Sequence, residues 1–182
     1  MTPIPIWLGH GASGTAASMR PHVAGLRARG VEAHAVDLPR GSGERAVPAF
    51  RAAMLAQPPG YDAGDETARL ASLAAGGHSF GGRVASMLAA ETPLKALVLF
   101  SYPLHRPGFR DQLRTAHWPR LRCPMLFLSG DRDPFATIGL LREQVATLAN
   151  AELVVYPGLG HGLAPVLDDA LDRVAAFLQS LA

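Results

Sequence analysis

A single cysteine, Cys123, in 182 residues excludes an internal disulfide and leaves no Cys/His set with zinc-ligand spacing. That usage points to a cytoplasmic protein. Lysine is as scarce: Lys95 is the only one among 17 basic residues, and the arginines are scattered through the sequence with no cluster. With a net charge of +2, neither a nucleic-acid nor a membrane surface is indicated. Long apolar runs are missing too. No stretch approaches the length of a membrane span, and Met1–Leu8 lacks the basic, then apolar, pattern of a leader. Internal repeats and low-complexity tracts do not occur. What is present is a chain of 48% apolar composition, enough for one domain over residues 1–182 with a sizeable core.

The stretch on which the rest turns is Ala75-Gly76-Gly77-His78-Ser79-Phe80-Gly81-Gly82-Arg83. A serine with glycine at both ±2 positions, between an apolar run and a helical pattern, reads as a nucleophile elbow, a sharp strand-to-helix turn that exposes the hydroxyl. The Phe80 amide then points into the same space from a helix N-terminus, suited to a developing oxyanion. A phosphate loop is the first rival, because Gly77 to Gly82 has G-x-x-x-x-G spacing. Arg83 and Val84 stand where lysine and Ser/Thr are required, so that reading fails.

Hydrophobic patterning predicts six strands alternating with helices. The strands are read at Ile4–Leu8, Val31–Val36, Ala74–His78, Ala96–Phe100, Met125–Leu128 and Leu153–Tyr156. Helices are expected over 15–29, 47–57, 65–73, the stretch from Ser79 to Thr92-Pro93, 135–149 and 164–181, with Pro58-Pro59-Gly60 as a break. Residues 101–122 form a long irregular connection, too short for a helical cap domain. The fold class is α/β: a three-layer α/β/α sandwich with a mostly parallel sheet. Ligands of such sheets bind beyond the carboxyl ends of the strands. The His10-Gly11-Ala12 loop, Ser79, Asp133 and His161 all follow strand ends.

A serine hydroxyl attacks an acyl carbon once a base takes its proton, and His161 is the expected base, with Asp133 orienting the imidazole. Each has a plainer alternative. Asp133-Pro134 is also a good helix cap, Asp131 is the rival carboxylate, and His161 stands between glycines in what is otherwise a loop. His10 and Gly11 sit where they prop the first loop or contact substrate. Tyr102 and His105, at the same sheet edge, either touch substrate or serve their own loop. His78 is expected to pack beside its strand, and Cys123 to act as a small hydrophobe.

Ser79 in G-H-S-F-G, Asp133 in G-D-R-D-P, His161 in G-H-G and His10-Gly11 after the first strand together resemble the signatures of the α/β hydrolases, over essentially the whole chain. Within them, Tyr102–His105 and the run Leu113–Phe135 look most like the small, lidless dienelactone-hydrolase-like group, particularly the testis-expressed hydrolase-like family and its bacterial members. Dienelactone hydrolases proper carry cysteine where Ser79 stands, and the two usual leading strands are absent, which predicts a minimal six-stranded sheet without a cap. The resemblance implies an oxyanion hole from the backbone amides of Ala12 and Phe80, and a triad of Ser79, Asp133 and His161. It implies a hydrolase of small acyl substrates, foremost carboxylic esters, acting through an acyl-enzyme with no metal or organic cofactor. With neither heptads nor a long apolar surface stripe in the sequence, a monomer and a homodimer are equally admissible. A thioesterase, acyltransferase or small peptidase would use the same residues, and a non-catalytic interaction module would keep only the fold.

Overall fold

The computed structural model describes residues 4–56 and 65–182; the expected break at Pro58-Pro59-Gly60 lies outside them. Six strands, β1 (Ile6–Gly9), β2 (Ala33–Val36), β3 (Ala74–His78), β4 (Ala96–Phe100), β5 (Met125–Gly130) and β6 (Ala151–Tyr156), form one sheet in the order β2-β1-β3-β4-β5-β6. Every pairing is parallel. The helices are α1 (Arg20–Ala28), α2 (Gly43–Leu55), α3 (Glu66–Leu70), α4 (Phe80–Glu91), α5 (Ile138–Val145) and α6 (Leu167–Ser180).

Parallel strands are covered on both faces, and the core divides accordingly. In β4, Leu97 and Leu99 join the cluster under α2, α4 and α5, whereas Ala96, Val98 and Phe100 join the one under α1 and α6. The alternation of side chains along a strand thus sends one continuous apolar run into two cores. The expected stripe on α4 is present, with Val84 and Leu88 fully covered and Met87 partly so.

The expected and observed elements differ mainly at their ends. α2 begins at Gly43, four residues before the predicted Val47, and carries Pro48 inside it. α3 ends at Leu70 and α5 is shortened at both ends. Asp65 caps α3 as its sequence suggests, accepting a hydrogen bond from the Thr67 N–H at 2.9 Å. Between β4 and β5 runs the expected long connection, holding one 3₁₀ turn at Trp118–Arg120 and no cap domain.

The position of the functional edge follows from the strand order. After β1 the chain turns outward to β2, then crosses to β3 on the other side, so the loops leaving β1 and β3 diverge at a topological switch point. There the backbones approach very closely. A Cβ placed on Gly81 would lie 2.1 Å from the carbonyl carbon and oxygen of Gly9, and one on Gly77 2.2 Å from the same oxygen.

Two consequences can be measured. Alanine ordinarily favours a helix over glycine by about 1 kcal/mol, but Gly81→Ala meets rigid backbone, so urea unfolding should show a loss of about 3 kcal/mol or more, or no soluble protein. Gly139→Ala in α5, with nothing within 4 Å of the new methyl, should be neutral or slightly stabilising. Burial also pushes the imidazoles of His22 and His117 down to about 4. The unfolded chain therefore binds more protons than the native one between about pH 6.5 and 4. Stability is full above that window and should fall through it on acidification, by a few kcal/mol in denaturant melts at pH 7 and pH 4.5.

Candidate active site

Ser79 joins β3 to α4 with φ 51° and ψ −113°, a backbone conformation that a non-glycine residue adopts only when its surroundings impose it. Two hydrogen bonds do so. Its N–H donates to the Phe100 carbonyl of the neighbouring strand at 2.9 Å, and its carbonyl accepts from the Arg83 N–H at 3.0 Å as the first bond of α4. The hydroxyl is thereby held above the sheet. Phe80 opens α4, so its N–H has no acceptor within the helix.

His161 lies 82 residues further on, in the loop after β6, and its Nε2 is 2.8 Å from the Ser79 Oγ. Its Nδ1 is 2.8 Å from Asp133 Oδ2. A carboxylate only accepts, so Nδ1 carries the proton and Nε2 presents its lone pair to the serine O–H. Asp133 has no exposed side-chain surface, and its other oxygen accepts the Phe135 N–H at 2.8 Å. The carboxylate is thus fixed by its own loop before it meets the imidazole. Asp131, the rival acid, turns elsewhere and accepts the Gly158 N–H at 2.7 Å. The alternative reading of Asp133 as the cap of the next helix does not hold, since α5 starts only at Ile138, behind Thr137.

Rings on both sides steady the imidazole. Phe135 stands at 4.5 Å between centroids and His78 at 5.1 Å. His78 does more than pack: its Nε2–H donates to the His161 carbonyl at 3.0 Å, tying the elbow to the histidine loop. Burial is the main influence holding the His78 pKa below its ordinary value, against the hydrogen bond to the His161 carbonyl, which acts to raise it. Neither role is visible in the sequence, because Phe135 and His78 carry no spacing signal of their own.

The array opens into a cleft of about 980 Å³ whose walls include Gly11, Ala12, Phe80, Arg83, Arg106 and Arg114. Ala12 and Phe80, the expected oxyanion donors, therefore face the same space as Ser79. Of the residues expected to contact substrate, Gly11 lines this cleft, but three others are turned into the protein. His10 is 3% exposed, accepting the Leu38 N–H at Nε2 (3.0 Å) and donating from Nδ1 to the Gly11 carbonyl (2.7 Å). Tyr102 is 1% exposed and donates to the Arg114 carbonyl at 2.7 Å. His105, also 1% exposed, accepts the Thr137 N–H and donates to the Arg106 carbonyl. Each is tied to loop backbone instead: His10 to Gly11 and Leu38, Tyr102 to Arg114, and His105 to Arg106 and Thr137. Cys123 is buried, its thiol pushed up to about 11, and is inert as a nucleophile.

Among the described residues, no cluster of three or more His, Cys, Asp or Glu side chains is placed to hold a metal, and no helix is long and apolar enough to cross a membrane. A second hollow, about 370 Å³ at the amino ends of β5 and β6, carries no histidine or carboxylate.

Known structures share this framework. The chain is similar to esterase 2 of Thermogutta terrifontis, solved phosphorylated by paraoxon, at 21% identity and a TM-score of 0.72 over 99% of this chain and 83% of that one. It is similar to a monoacylglycerol lipase of Paleococcus ferrophilus at 15% identity, TM-score 0.73, covering 99% and 97%. A protein of Thermoplasma acidophilum described as a predicted CIB-like hydrolase superposes with a TM-score of 0.75 at 17% identity, covering 98% and 87%. At such identities the likeness is one of fold. The family model for the alpha/beta hydrolase domain matches residues 6–179, from the first strand to the last helix, and this chain belongs to that family.

Proposed function

We propose that this protein is a serine hydrolase of small acyl substrates, foremost carboxylic esters, working in the cytoplasm on soluble small molecules. The observation that carries the reading is the continuous relay from Ser79 Oγ through His161 to Asp133, with both contacts at 2.8 Å. In this scheme His161 Nε2 takes the serine proton as Oγ attacks the acyl carbon. The backbone N–H groups of Ala12 and Phe80 receive the oxyanion of the tetrahedral intermediate, and a donor of this kind is worth roughly 10²–10³ in turnover. His161 then protonates the leaving group, and water resolves the acyl-enzyme by the same path in reverse. Asp133 keeps the imidazole in the required tautomer and stabilises the imidazolium. No metal or organic cofactor enters these steps.

An open cleft without a cap favours short or exposed esters over long lipids. The Tyr102–His105 and Leu113–Phe135 segments support a finer placement in the small, lidless dienelactone-hydrolase-like group, with serine in place of the cysteine nucleophile.

A fluorophosphonate probe tests the reading directly. Labelling is expected on Ser79 by mass spectrometry and should vanish in Ser79→Ala, whose melting curve should stay close to that of the parent; a well-folded protein that takes up no label would overturn the assignment. Asp133→Asn should lower ester turnover by about 10⁴, while Asp131→Asn, which only loses a loop contact, should leave kcat within about tenfold. The reverse order in steady-state kinetics would identify Asp131 as the working carboxylate.

A further inference from the structure

The arginines of this chain fall into two groups. Some are visibly structural: Arg29 pairs with Asp168 and Asp172, and Arg173 with Asp169. Three others, Arg83 from α4 and Arg106 and Arg114 from the connection between β4 and β5, meet on the walls of the cleft beside Ser79. They are poorly partnered there. Arg83 reaches Glu44 at 3.4 Å with one nitrogen while its Nε is buried without a hydrogen-bond partner. Arg114 has one long contact, 3.4 Å to the Pro103 carbonyl. The Arg106 side chain makes no hydrogen bond or ion pair among the described residues.

Among the described residues lining the cleft, Glu44 is the only carboxylate, set against three guanidinium groups. Asp133 is occupied by His161 and the Phe135 amide. Like charges gathered around a partly desolvated space repel one another, and burial together with the nearby Arg83 and Arg106 holds the Arg114 pKa below its ordinary value. Such an arrangement is costly when empty and favourable when an anion fills it. Guanidinium groups present paired N–H donors that match carboxylate and phosphate oxygens, and those in this cleft have donors to spare.

We propose that the cleft selects esters whose acyl or alcohol portion carries an oxyanion, a carboxylate or a phosphate, held by Arg83, Arg106 and Arg114 while the ester bond lies on Ser79. The inference rests on the serine-hydrolase reading for its chemistry, but the anion site itself stands on the arginines. It makes the family's general reaction selective through charge, at a distance from the reacting atoms.

The test compares kcat/KM within pairs of esters that differ by one anionic group. The pairs are 4-nitrophenyl glutarate with 4-nitrophenyl valerate, 4-acetoxybenzoate with its methyl ester, and 4-acetoxyphenyl phosphate with 4-methoxyphenyl acetate. The first places the anion on the acyl side, and the other two place a carboxylate or a phosphate on the alcohol side. At least one anionic member should be preferred by about tenfold or more at low salt, the worth of one charged hydrogen-bonded contact. That ratio should shrink as salt is raised and collapse toward unity in Arg106→Gln and in Arg106→Gln/Arg114→Gln. Independently of turnover, calorimetry on Ser79→Ala should show saturable binding of glutarate or phenyl phosphate that is lost when the arginine changes are added. No preference in any pair, or a preference that survives the arginine changes, overturns the proposal while leaving the hydrolase reading intact. If Ser79 proves inert to ester and fluorophosphonate alike, the hydrolase reading fails and calorimetry alone decides the anion site: saturable, arginine-dependent binding upholds it, and none overturns it.

Discussion

Everything at the functional edge depends on one backbone crossing, where Gly9 at the end of β1 passes against Gly77 and Gly81 on either side of Ser79. A side chain at any of these positions would force the strands and helix apart. With that contact made, the β3–α4 turn has no room to relax, and Ser79 is held in a conformation costing on the order of 1–3 kcal/mol. The cost is borne by the parallel pairing of β1, β3 and β4 and by the buried face of α4. The serine is presented because the surrounding backbone cannot be arranged otherwise.

The imidazole is held by different means. His161 sits in a loop, and loops supply little rigidity themselves. Here the ring is fixed from several directions: the carboxylate of Asp133, the faces of Phe135 and His78, and the His78 bond to its own carbonyl. Asp133 is in turn locked by the Phe135 amide, so one short loop after β5 supplies both the carboxylate that meets His161 and a packing surface for its ring. Preorganisation of this kind lowers the cost of reaching a reactive geometry.

The sheet was largely legible in the sequence because its strands are short apolar runs bounded by glycine, proline and charged turns. Ala74–His78 and Ala96–Phe100 were readable to the residue. Helix ends were less so: the starts of α2 and α5 depend on how loops dock, which local propensity does not encode. At the site, the residues with motif spacing, Ser79, Asp133 and His161, come together, and Asp131, which lacks that spacing after Gly130, turns to the Gly158 amide instead. His10, Tyr102 and His105 were legible as belonging to the right edge but not in their orientation, since adjacency to a strand end does not fix which way a side chain turns. The arginines of the cleft were invisible for a related reason. Scattered along the chain, they read as dispersed charge, and only the tertiary fold brings Arg83 near Arg106 and Arg114.

The span between Ser79 and His161 has a consequence for how the molecule comes into being. Contacts of such long sequence separation form late, because the loop between them must first be closed. During synthesis the elbow of β1, β3 and α4 emerges well before β6 and the loop that follows it. A nascent chain therefore carries Ser79 already shaped by its turn, and His161 reaches it only when the final strand docks at the edge of the sheet.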